Sequence, residues 1–300
     1  MAESIDERKR TRKVTATEER MIDVGGGVRL HVLTAGQKGT PVLLLHGFPQ
    51  SSYAWREIVT PLVDAGYRVI VPDMRGYGLS DKPRRTKDYA SPVLVSDMKN
   101  LLEALGHDRA HVVGHDWGGV VAWHFAASHP ELVDRLVIIN GPHPDRIGER
   151  LRHSAAQRKR SWYIFFFQLP WLPERFLSRR NTMRRLFMAS AFKKEAFTDE
   201  AIDTYTNAVR QPGAARGMLS YYRAAARWPT KRLAQIERPT LVLWGERDTA
   251  LGADLLDRLG EHVRDLRVHR IHDASHWVVE EKPELVVSEL TAFFTANQPS

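Results

Sequence analysis

The sequence predicts an α/β protein in which a mostly parallel sheet is flanked by helices. Two observations lead to this prediction. Short apolar segments alternate with longer segments of helical periodicity, which is typical of parallel strands joined by crossover helices. The alternation stops after Gly141-Pro142 and resumes only at Thr240, which indicates a long helical insertion within the sheet domain.

The first half of the predicted sheet opens with a hairpin. Met21–Val24 and Val28–Thr34 flank Gly25-Gly26-Gly27, which indicates two antiparallel strands joined by a tight turn. Buried parallel strands are then predicted at Pro41–Leu45, Arg68–Val71, Ala110–Val113 and Leu136–Ile139. Helices are predicted between them at Ser91–Leu105 and Trp117–His129.

The insertion and the end of the chain complete the architecture. From Pro144 to Trp228 the pattern is helical, basic and aromatic. Strands are predicted again at Thr240–Trp244 and Leu266–Ile271, followed by a final helix at Pro283–Phe294. We therefore expect a charged mobile tail over residues 1–19, a sheet domain over 20–142 and 229–300, and a helical cap over 143–228.

Composition excludes several classes of function. No cysteine occurs among the 300 residues, which rules out disulfides, thiolate catalysis and cysteine-ligated metals. The first twenty residues lack the apolar centre of a signal peptide, and the apolar stretch Trp162–Leu172 is too short to span a bilayer. We expect a cytoplasmic protein with no membrane span, either a monomer or a homodimer.

The net charge of +8 raises the question of a polyanionic partner. The basic residues fall in local groups at Arg8–Lys13, Arg150–Arg160 and Arg179–Arg185. This spacing is typical of solvated helix faces, whereas nucleic-acid binding favours basic residues interleaved with aromatic ones on one face. We therefore expect no nucleic-acid partner.

The stretch Gly114-His115-Asp116-Trp117-Gly118 predicts a nucleophile elbow that carries aspartate where serine is common. Flanking glycines suit a sharp strand-to-helix turn that exposes one side chain. A serine that displaced a leaving group from a saturated carbon would form an ether that water could not cleave. A carboxylate forms an ester, which water can hydrolyse, so Asp116 indicates alkyl substitution on epoxides or alkyl halides.

An acid and a histidine are expected after later strands, in that chain order. Asp248 follows the strand Thr240–Trp244, and His276 follows Leu266–Ile271. A neutral imidazole can deprotonate the hydrolytic water, and Asp248 would orient it and stabilise its charged form. Glu246 and Asp273 are the nearest rivals for the acid role, while the position after Ile139 holds Asn140 rather than a carboxylate.

The segment His46-Gly47-Phe48-Pro49 follows a buried strand and predicts an oxyanion-stabilising loop. Backbone N–H groups of Phe48 and Trp117 would stabilise the negative charge that develops on Asp116 when water attacks its ester. His46 and His115 are expected to pack and to form hydrogen bonds rather than to catalyse. Because the thirteen histidines show no metal-binding spacing, we expect neither a metal nor a cofactor.

Beyond the charged tail, almost the whole chain resembles the epoxide hydrolases of the α/β-hydrolase fold, close kin of the haloalkane dehalogenases. The resemblance implies an eight-stranded, mostly parallel sheet with an inserted helical cap. Its motifs are His46-Gly47-Phe48-Pro49 with Ser52, Tyr53, Trp55 and Arg56, then Asp73-Met74-Arg75-Gly76-Tyr77-Gly78, Gly114-His115-Asp116-Trp117-Gly118-Gly119, Gly245-Glu246-Arg247-Asp248 and Ser275-His276-Trp277.

The resemblance also implies two cap tyrosines that hydrogen-bond the epoxide oxygen. Tyr163 matches the first tyrosine of the family pattern Tyr-x-x-x-Phe-Gln-x-Pro, and Tyr222 precedes arginine as the second does. Neutral phenols can donate to the departing oxygen. Tyr221 is the adjacent competitor. Apolar cap residues would line the substrate pocket together with Pro49, namely Trp162, Phe166 and Phe167.

We therefore predict a cofactor-independent epoxide hydrolase that converts a small apolar epoxide and water into a vicinal diol. A haloalkane dehalogenase is the alternative, because the indole of Trp117 and the cap residues Trp162 or Trp171 could bind a halide. Phe48 stands where that branch commonly has asparagine, and Trp117 argues against the fluoroacetate-cleaving branch, which has arginine there. A non-catalytic ligand-binding protein is a further alternative.

Overall fold

Eight strands form one sheet in the computed structural model of the protein, which describes residues 17–296. In chain order the strands are β1 (Thr17–Asp23), β2 (Arg29–Ala35), β3 (Pro41–Leu45), β4 (Arg68–Pro72), β5 (Ala110–His115), β6 (Val133–Ile139), β7 (Thr240–Gly245) and β8 (Leu266–Ile271).

Twelve α-helices accompany these strands within the described residues. They are α1 (Arg56–Asp64), α2 (Ser91–Ala104), α3 (Trp117–Ser128), α4 (Pro144–His153), α5 (Ala155–Arg160), α6 (Trp162–Phe166), α7 (Leu172–Leu177), α8 (Thr182–Ser190), α9 (Asp199–Arg210), α10 (Ala214–Arg227), α11 (Val278–Glu281) and α12 (Pro283–Thr295). Helices α4–α10 all lie between β6 and β7, so the chain from 144 to 227 is mainly helical.

The strand order is β1-β2-β4-β3-β5-β6-β7-β8. The first two strands form an antiparallel hairpin and β2 also runs antiparallel to β4, whereas all neighbours from β4 to β8 are parallel. The carboxyl ends of the parallel strands therefore meet at one edge of the sheet. Strands β3, β5, β7 and β8 all end at this edge. In open α/β sheets, ligands bind just outside the carboxyl ends of the strands.

Apolar side chains pack on both faces of the sheet. In β3, Val42 and Leu44 belong to one buried cluster, and Leu43 and Leu45 belong to the other. Successive strand residues point to opposite faces, so a strand covered on both sides needs an unbroken apolar run. This requirement explains why the central parallel strands could be predicted from short apolar segments.

The fold agrees with the predicted elements except at the start of the sheet. The glycine turn at 25–27 joins the predicted antiparallel strands, but β1 begins at Thr17. The sequence prediction places residues 17–19 in the tail, whereas they belong to the sheet; residues 1–16 lie outside the described part of the chain. β1 is an exposed edge strand, and its polar start Thr17-Glu18-Glu19-Arg20 lacks the apolar signal on which the prediction relies.

Candidate active site

A sharp turn after β5 presents Asp116 at the carboxyl edge of the sheet. Asp116 has φ 50° and ψ −116°, and α3 begins at the next residue. A Cβ on Gly47 would lie 2.4 Å from the Asp116 Cβ, and one on Gly118 would lie 2.2 Å from the carbonyl oxygen of Leu45. Any larger residue would collide at these two positions, so the glycines of both motifs have a steric cause.

Each oxygen of the Asp116 carboxylate has a partner. The N–H of Phe48 donates to Oδ1 at 2.8 Å, and Oδ2 lies 3.4 Å from Nε2 of His276. Burial alone would raise the pKa of Asp116, but the hydrogen bond and charge of His276, helped by the Phe48 N–H, hold this pKa below its usual value. The site therefore keeps Asp116 ionised.

Asp248 is the carboxylate that contacts the other side of His276. Its Oδ2 accepts hydrogen bonds from His276 Nδ1–H at 2.7 Å and from Asn140 Nδ2–H at 2.8 Å. Its Oδ1 accepts from the N–H groups of Ala250 at 2.8 Å and Leu251 at 2.9 Å. Four donors hold this buried carboxylate in one orientation, which in turn orients the imidazole.

The two rival acids have other partners. Glu246 pairs with Arg270 and with His272, and the exposed Asp273 pairs with Lys282. Of the three candidate carboxylates, Asp248 is the one bonded to His276.

His276 bridges two carboxylates, and this position sets its protonation. Burial lowers the pKa of an imidazole, but the charges of Asp248 and Asp116 and their hydrogen bonds raise the pKa of His276 to about 10. Its backbone carbonyl accepts a hydrogen bond from Nε2–H of His115 at 2.9 Å. The imidazole is therefore charged at neutral pH while Asp116 is a free carboxylate.

The two neighbouring histidines have structural hydrogen bonds. His115 holds the backbone of His276. His46 accepts the N–H of Met74 at Nε2 and donates from Nδ1 to the carbonyl of Gly47. Burial lowers the pKa of both histidines, so both are neutral at physiological pH.

Tyr163 and Tyr222 face each other with ring centroids 6.0 Å apart and an interplanar angle of 84°. Burial, and secondly the charge of Asp116, raises the pKa of both phenols well above the usual value, so both remain neutral donors. Among residues 17–296, none forms a hydrogen bond with the Tyr163 hydroxyl. The adjacent Tyr221 instead donates its hydroxyl proton to the carbonyl of Arg75 at 2.8 Å, away from the pair.

A cavity of about 1000 Å³ contains both tyrosines and His276. Phe48 and the predicted pocket residues Trp162, Phe166 and Phe167 contribute to its wall. A second cavity of about 930 Å³ shares Tyr163 and Tyr222 and includes Trp117. Pro49, which the sequence predicts to line the pocket, is buried and lines neither cavity.

Comparisons with known proteins place this chain in a family. Residues 40–283 match the family described as the alpha/beta hydrolase fold. The chain is 39% identical over 276 residues to the AB hydrolase superfamily protein YfhM of Bacillus subtilis, covering 91% of this chain and 96% of that protein. It is 35% identical over 268 residues to human Epoxide hydrolase 4, covering 87% of this chain and 74% of that protein. This chain is an α/β-hydrolase of the epoxide hydrolase family.

A solved structure shows the same likeness in three dimensions. The crystal structure of a Bacillus megaterium epoxide hydrolase in complex with an inhibitor superposes with a TM-score of 0.84 at 33% identity. The match covers 92% of this hydrolase and 99% of that chain, so it includes helices between β6 and β7 as well as the sheet.

The indole of Trp117, on which the dehalogenase alternative depends, packs against Tyr222 of this hydrolase. The two rings meet edge-on with centroids 4.9 Å apart, and the hydrogen bond of Trp117 opposes the effect of burial on the Tyr222 pKa. Phe48 likewise packs against Tyr222 and Phe167 at 5.3 and 5.4 Å. The indole N–H of Trp117 is therefore engaged with Tyr222, and the side chain of Phe48 has no N–H to offer a halide.

Arg223 joins the two tyrosine-bearing segments of the hydrolase. It donates to the carbonyls of Phe167 and Leu169 and forms two hydrogen bonds with Glu174. Gln168 adds a hydrogen bond to the carbonyl of Tyr222. The polar residues beside Tyr163 and Tyr222 thus hold one tyrosine opposite the other, a role that the sequence pattern did not reveal.

Asn140 and Glu281 are two further residues whose roles sequence reasoning missed. Asn140 is buried at φ 39°, accepts the Gly245 N–H at 2.8 Å and donates to Asp248. Glu281 accepts both the N–H and the hydroxyl of Ser275 at 2.7 Å, and also the N–H of Phe192 at 2.8 Å. One residue orients the acid, and the other ties the His276 loop to the segment after α8.

One group of side chains among residues 17–296 lies close enough together to hold a metal ion, although the sequence spacing did not predict it. His143, Asp145 and His262 place potential ligand atoms within 4.8 Å of one another. His143 Nδ1 accepts the N–H of Asp145, and the Asp145 carboxylate accepts the N–H of Leu233. These groups thus already stabilise the start of α4 and the segment before β7.

No helix within residues 17–296 has the length and apolar character needed to cross a membrane.

Proposed function

We propose that this protein hydrolyses epoxides to vicinal diols through a covalent ester on Asp116. The observation that carries the proposal is the placement of an ionised carboxylate beside His276, with the two phenols Tyr163 and Tyr222 in the adjoining cavity. Relatives named as epoxide hydrolases support the same reaction. The helical segment 143–228 would act as the cap that brings the phenols to the site.

Ring opening is the first step of the proposed reaction. An oxygen of Asp116 attacks an epoxide carbon, the carbon–oxygen bond of the ring breaks, and its electron pair passes to the ring oxygen. Tyr163 and Tyr222 donate hydrogen bonds to that oxygen and supply a proton. Because the charge of Asp116 raises the pKa of both phenols, converting Asp116 into a neutral ester makes them stronger acids as the alkoxide forms.

Formation of the ester also prepares the base for the second step. The Asp116 carboxylate helps to keep His276 protonated, so its loss lowers the pKa of His276. Ring opening takes one proton from a tyrosine, and the imidazolium of His276 can return a proton to that tyrosine. His276 is then neutral, and Asp248 keeps Nδ1 as the donor so that Nε2 can accept a proton from water.

Ester hydrolysis completes the cycle. Water transfers a proton to His276 and its oxygen attacks Cγ of Asp116, and the resulting oxyanion is stabilised by the Phe48 N–H that already contacts Oδ1. The N–H of Trp117 is at the start of α3, where it lacks an intrahelical acceptor, and would be the second donor. The alkyl oxygen leaves as the second hydroxyl of the diol, which takes the remaining proton of the water.

The cavity wall defines the substrate class. Its aromatic side chains, Phe48, Trp162, Phe166 and Phe167, favour a small epoxide with an apolar substituent. The reaction needs only this substrate and water, and every group it uses is a side chain or backbone N–H of the chain.

Trapping the ester tests the proposal. In the variant His276→Gln, ring opening should proceed while hydrolysis stalls, so the Asp116 peptide should gain the mass of the intact epoxide. An alkyl halide with the same variant should leave no adduct. Release of halide from alkyl halides, with no epoxide consumed by the unmodified protein, would favour a dehalogenase instead. Ligand binding with no adduct and no turnover would indicate a binding protein.

A further inference from the structure

The cap contains an extreme concentration of positive charge. Between residues 150 and 194 there are twelve lysines and arginines but a single acidic residue, Glu174. The whole chain has a net charge of only +8, so this one segment accounts for all of the excess. Glu174 is itself paired with Arg223 and therefore does not offset the surface charge around it.

Several of these cations are exposed and unpaired. Arg150 pairs with Asp254 and Arg184 pairs with Asp199. Within residues 17–296, the exposed cations of the segment that form no ion pair include Lys159, Arg175, Arg179, Arg180 and Arg185. Charges left unpaired on one segment create a positive field that an anionic surface can neutralise.

Large apolar side chains are exposed on the same segment. Six of the eleven exposed large hydrophobics of the described chain lie between residues 162 and 176, namely Trp162, Phe165, Leu169, Trp171, Leu172 and Phe176. Trp171 is 70% exposed and Trp162 is 61% exposed. The partly buried Phe166 joins the two helices, since its ring lies 6.1 Å from Trp162 in α6 and 5.9 Å from Phe176 in α7.

Members of both sets line the cavity that contains His276. The cavity that contains His276 is also lined by Lys159, Arg179, Arg180 and Arg185 together with Trp162 and Phe176. We call the two sets of side chains the cap face. Four of its cations and two of its aromatic residues line this one cavity, and its other members are their neighbours in the segment 162–176.

We propose that the cap face docks on the surface of an anionic lipid membrane. Exposed tryptophan and phenylalanine would enter the headgroup region, while the surrounding lysines and arginines would contact lipid phosphates. Apolar molecules accumulate in the bilayer, so the opening of the cavity would face the phase that holds the substrate. This last step rests on the proposed function, whereas the lipid contact does not depend on any reaction.

Charge favours this occupant over a second copy of the chain. A two-fold symmetric dimer through the cap face would bring the same patch of each subunit together, so unpaired cations would face unpaired cations. A nucleic acid would satisfy the charge but would leave Leu169, Trp171 and Leu172 without an apolar partner. An anionic bilayer satisfies both the cations and the apolar side chains.

Vesicle flotation of the full-length protein tests the proposal. Vesicles of phosphatidylcholine with phosphatidylglycerol should bind the protein at low salt, whereas pure phosphatidylcholine should bind it much more weakly. The triple variant R175Q/R179Q/R180Q should lose about fivefold in binding for each charge, or about 100-fold in total. The matched variant K38Q/R84Q/K87Q removes the same net charge from exposed positions of the sheet domain and should bind nearly as well as the unmodified protein.

A second variant tests the apolar contribution at constant charge. Trp171 has φ 48°, a conformation that asparagine tolerates, so Trp171→Asn should keep the fold while weakening vesicle binding about tenfold. Equal losses in the two triple variants, or equal binding to both kinds of vesicle, would overturn the proposal. So would a stable dimer that Trp171→Asn dissociates, or tighter binding to duplex DNA than to the anionic vesicles.

Discussion

Nε2 of His276 lies 3.4 Å from Oδ2 of Asp116, while its Nδ1 lies 2.7 Å from Oδ2 of Asp248. One imidazole thus bridges the carboxylate that would attack the substrate and the carboxylate that orients the base. While both carboxylates are ionised, this arrangement favours a charged imidazole. In the proposed reaction, conversion of Asp116 into an ester would remove one of the two anions and release the base for the next step.

The pKa of His276 should fall when Asp116 loses its charge. In the unmodified protein the imidazole should stay protonated through neutral pH, because its pKa is raised to about 10. Asp116→Asn should lower the titration midpoint, since only Asp248 then stabilises the charged form. NMR of the His276 ring against pH measures both midpoints. An unchanged midpoint in the variant would contradict the coupling between the two residues.

Removing either cap phenol should slow ring opening. Tyr163→Phe and Tyr222→Phe should each lower the rate of ester formation by about 100-fold, because one donor to the epoxide oxygen is lost. Single-turnover kinetics with excess enzyme measure this rate. Tyr221→Phe is the matched control, since the Tyr221 hydroxyl binds the Arg75 carbonyl, and this variant should keep the rate. Equal effects at Tyr221 and Tyr222 would mean that the losses are structural.

Asn140 should matter for hydrolysis more than for ring opening. Asn140→Ala removes a hydrogen bond to the buried Asp248 and one from Gly245, at a cost of about 3 kcal/mol in the free energy of unfolding. The orientation of His276 should loosen, so the ester should persist longer before water cleaves it. Asn100→Ala serves as the control, because the Asn100 side chain donates to the carbonyl of Val24 and to no residue of the candidate site. The control should lose stability without accumulating ester.

Buried neutral histidines should make the protein sensitive to acid, and His111 offers a clean test. His111 is 3% exposed and stacks on Phe294 with centroids 4.1 Å apart, and neither ring nitrogen has a partner within the described chain. Burial lowers its pKa from the usual value of 6.5 to about 4. As pH falls below 6.5 the unfolded chain binds a proton that the folded protein does not, so the folded state loses stability down to about pH 4.

Replacing His111 with phenylalanine should therefore flatten the acid dependence. Across that pH range, the free energy of unfolding of the His111→Phe variant should rise relative to that of the unmodified protein by about 1.4 kcal/mol for each unit of pH decrease. Urea unfolding at several pH values measures the difference, with His153→Gln as an exposed control that should show no gain. If the difference in free energy of unfolding between the two proteins is the same at every pH, the folded and unfolded states do not differ in the protonation of His111.

The carboxylates and the histidine of the candidate site could be predicted because each of them follows a strand. Asp116, Asp248 and His276 stand shortly after predicted strands, and parallel strands bring their carboxyl ends together. Tyr163 and Tyr222 lie on helices whose packing leaves no such signal, so their pairing depended on the family resemblance.

The hydrogen-bond partners of the supporting residues could not be predicted. Asn140 and Asp248 are 108 positions apart, and His115 and His276 are 161 apart, so no local pattern links them. The start of β1 could not be read from the sequence because its polar residues form an exposed edge. The motif predicts that Pro49 lines the pocket, whereas the wall of neither cavity includes it.

The origin of the oxygen in the diol tests the Asp116 ester most directly. One turnover with the enzyme in molar excess is run in water labelled with oxygen-18, and the diol and the Asp116 peptide are then weighed. The ester mechanism predicts an unlabelled diol and a label on Asp116, because the attacking oxygen of the first turnover comes from the carboxylate. Label in the diol after that single turnover would show that water attacks the epoxide itself and would contradict the account.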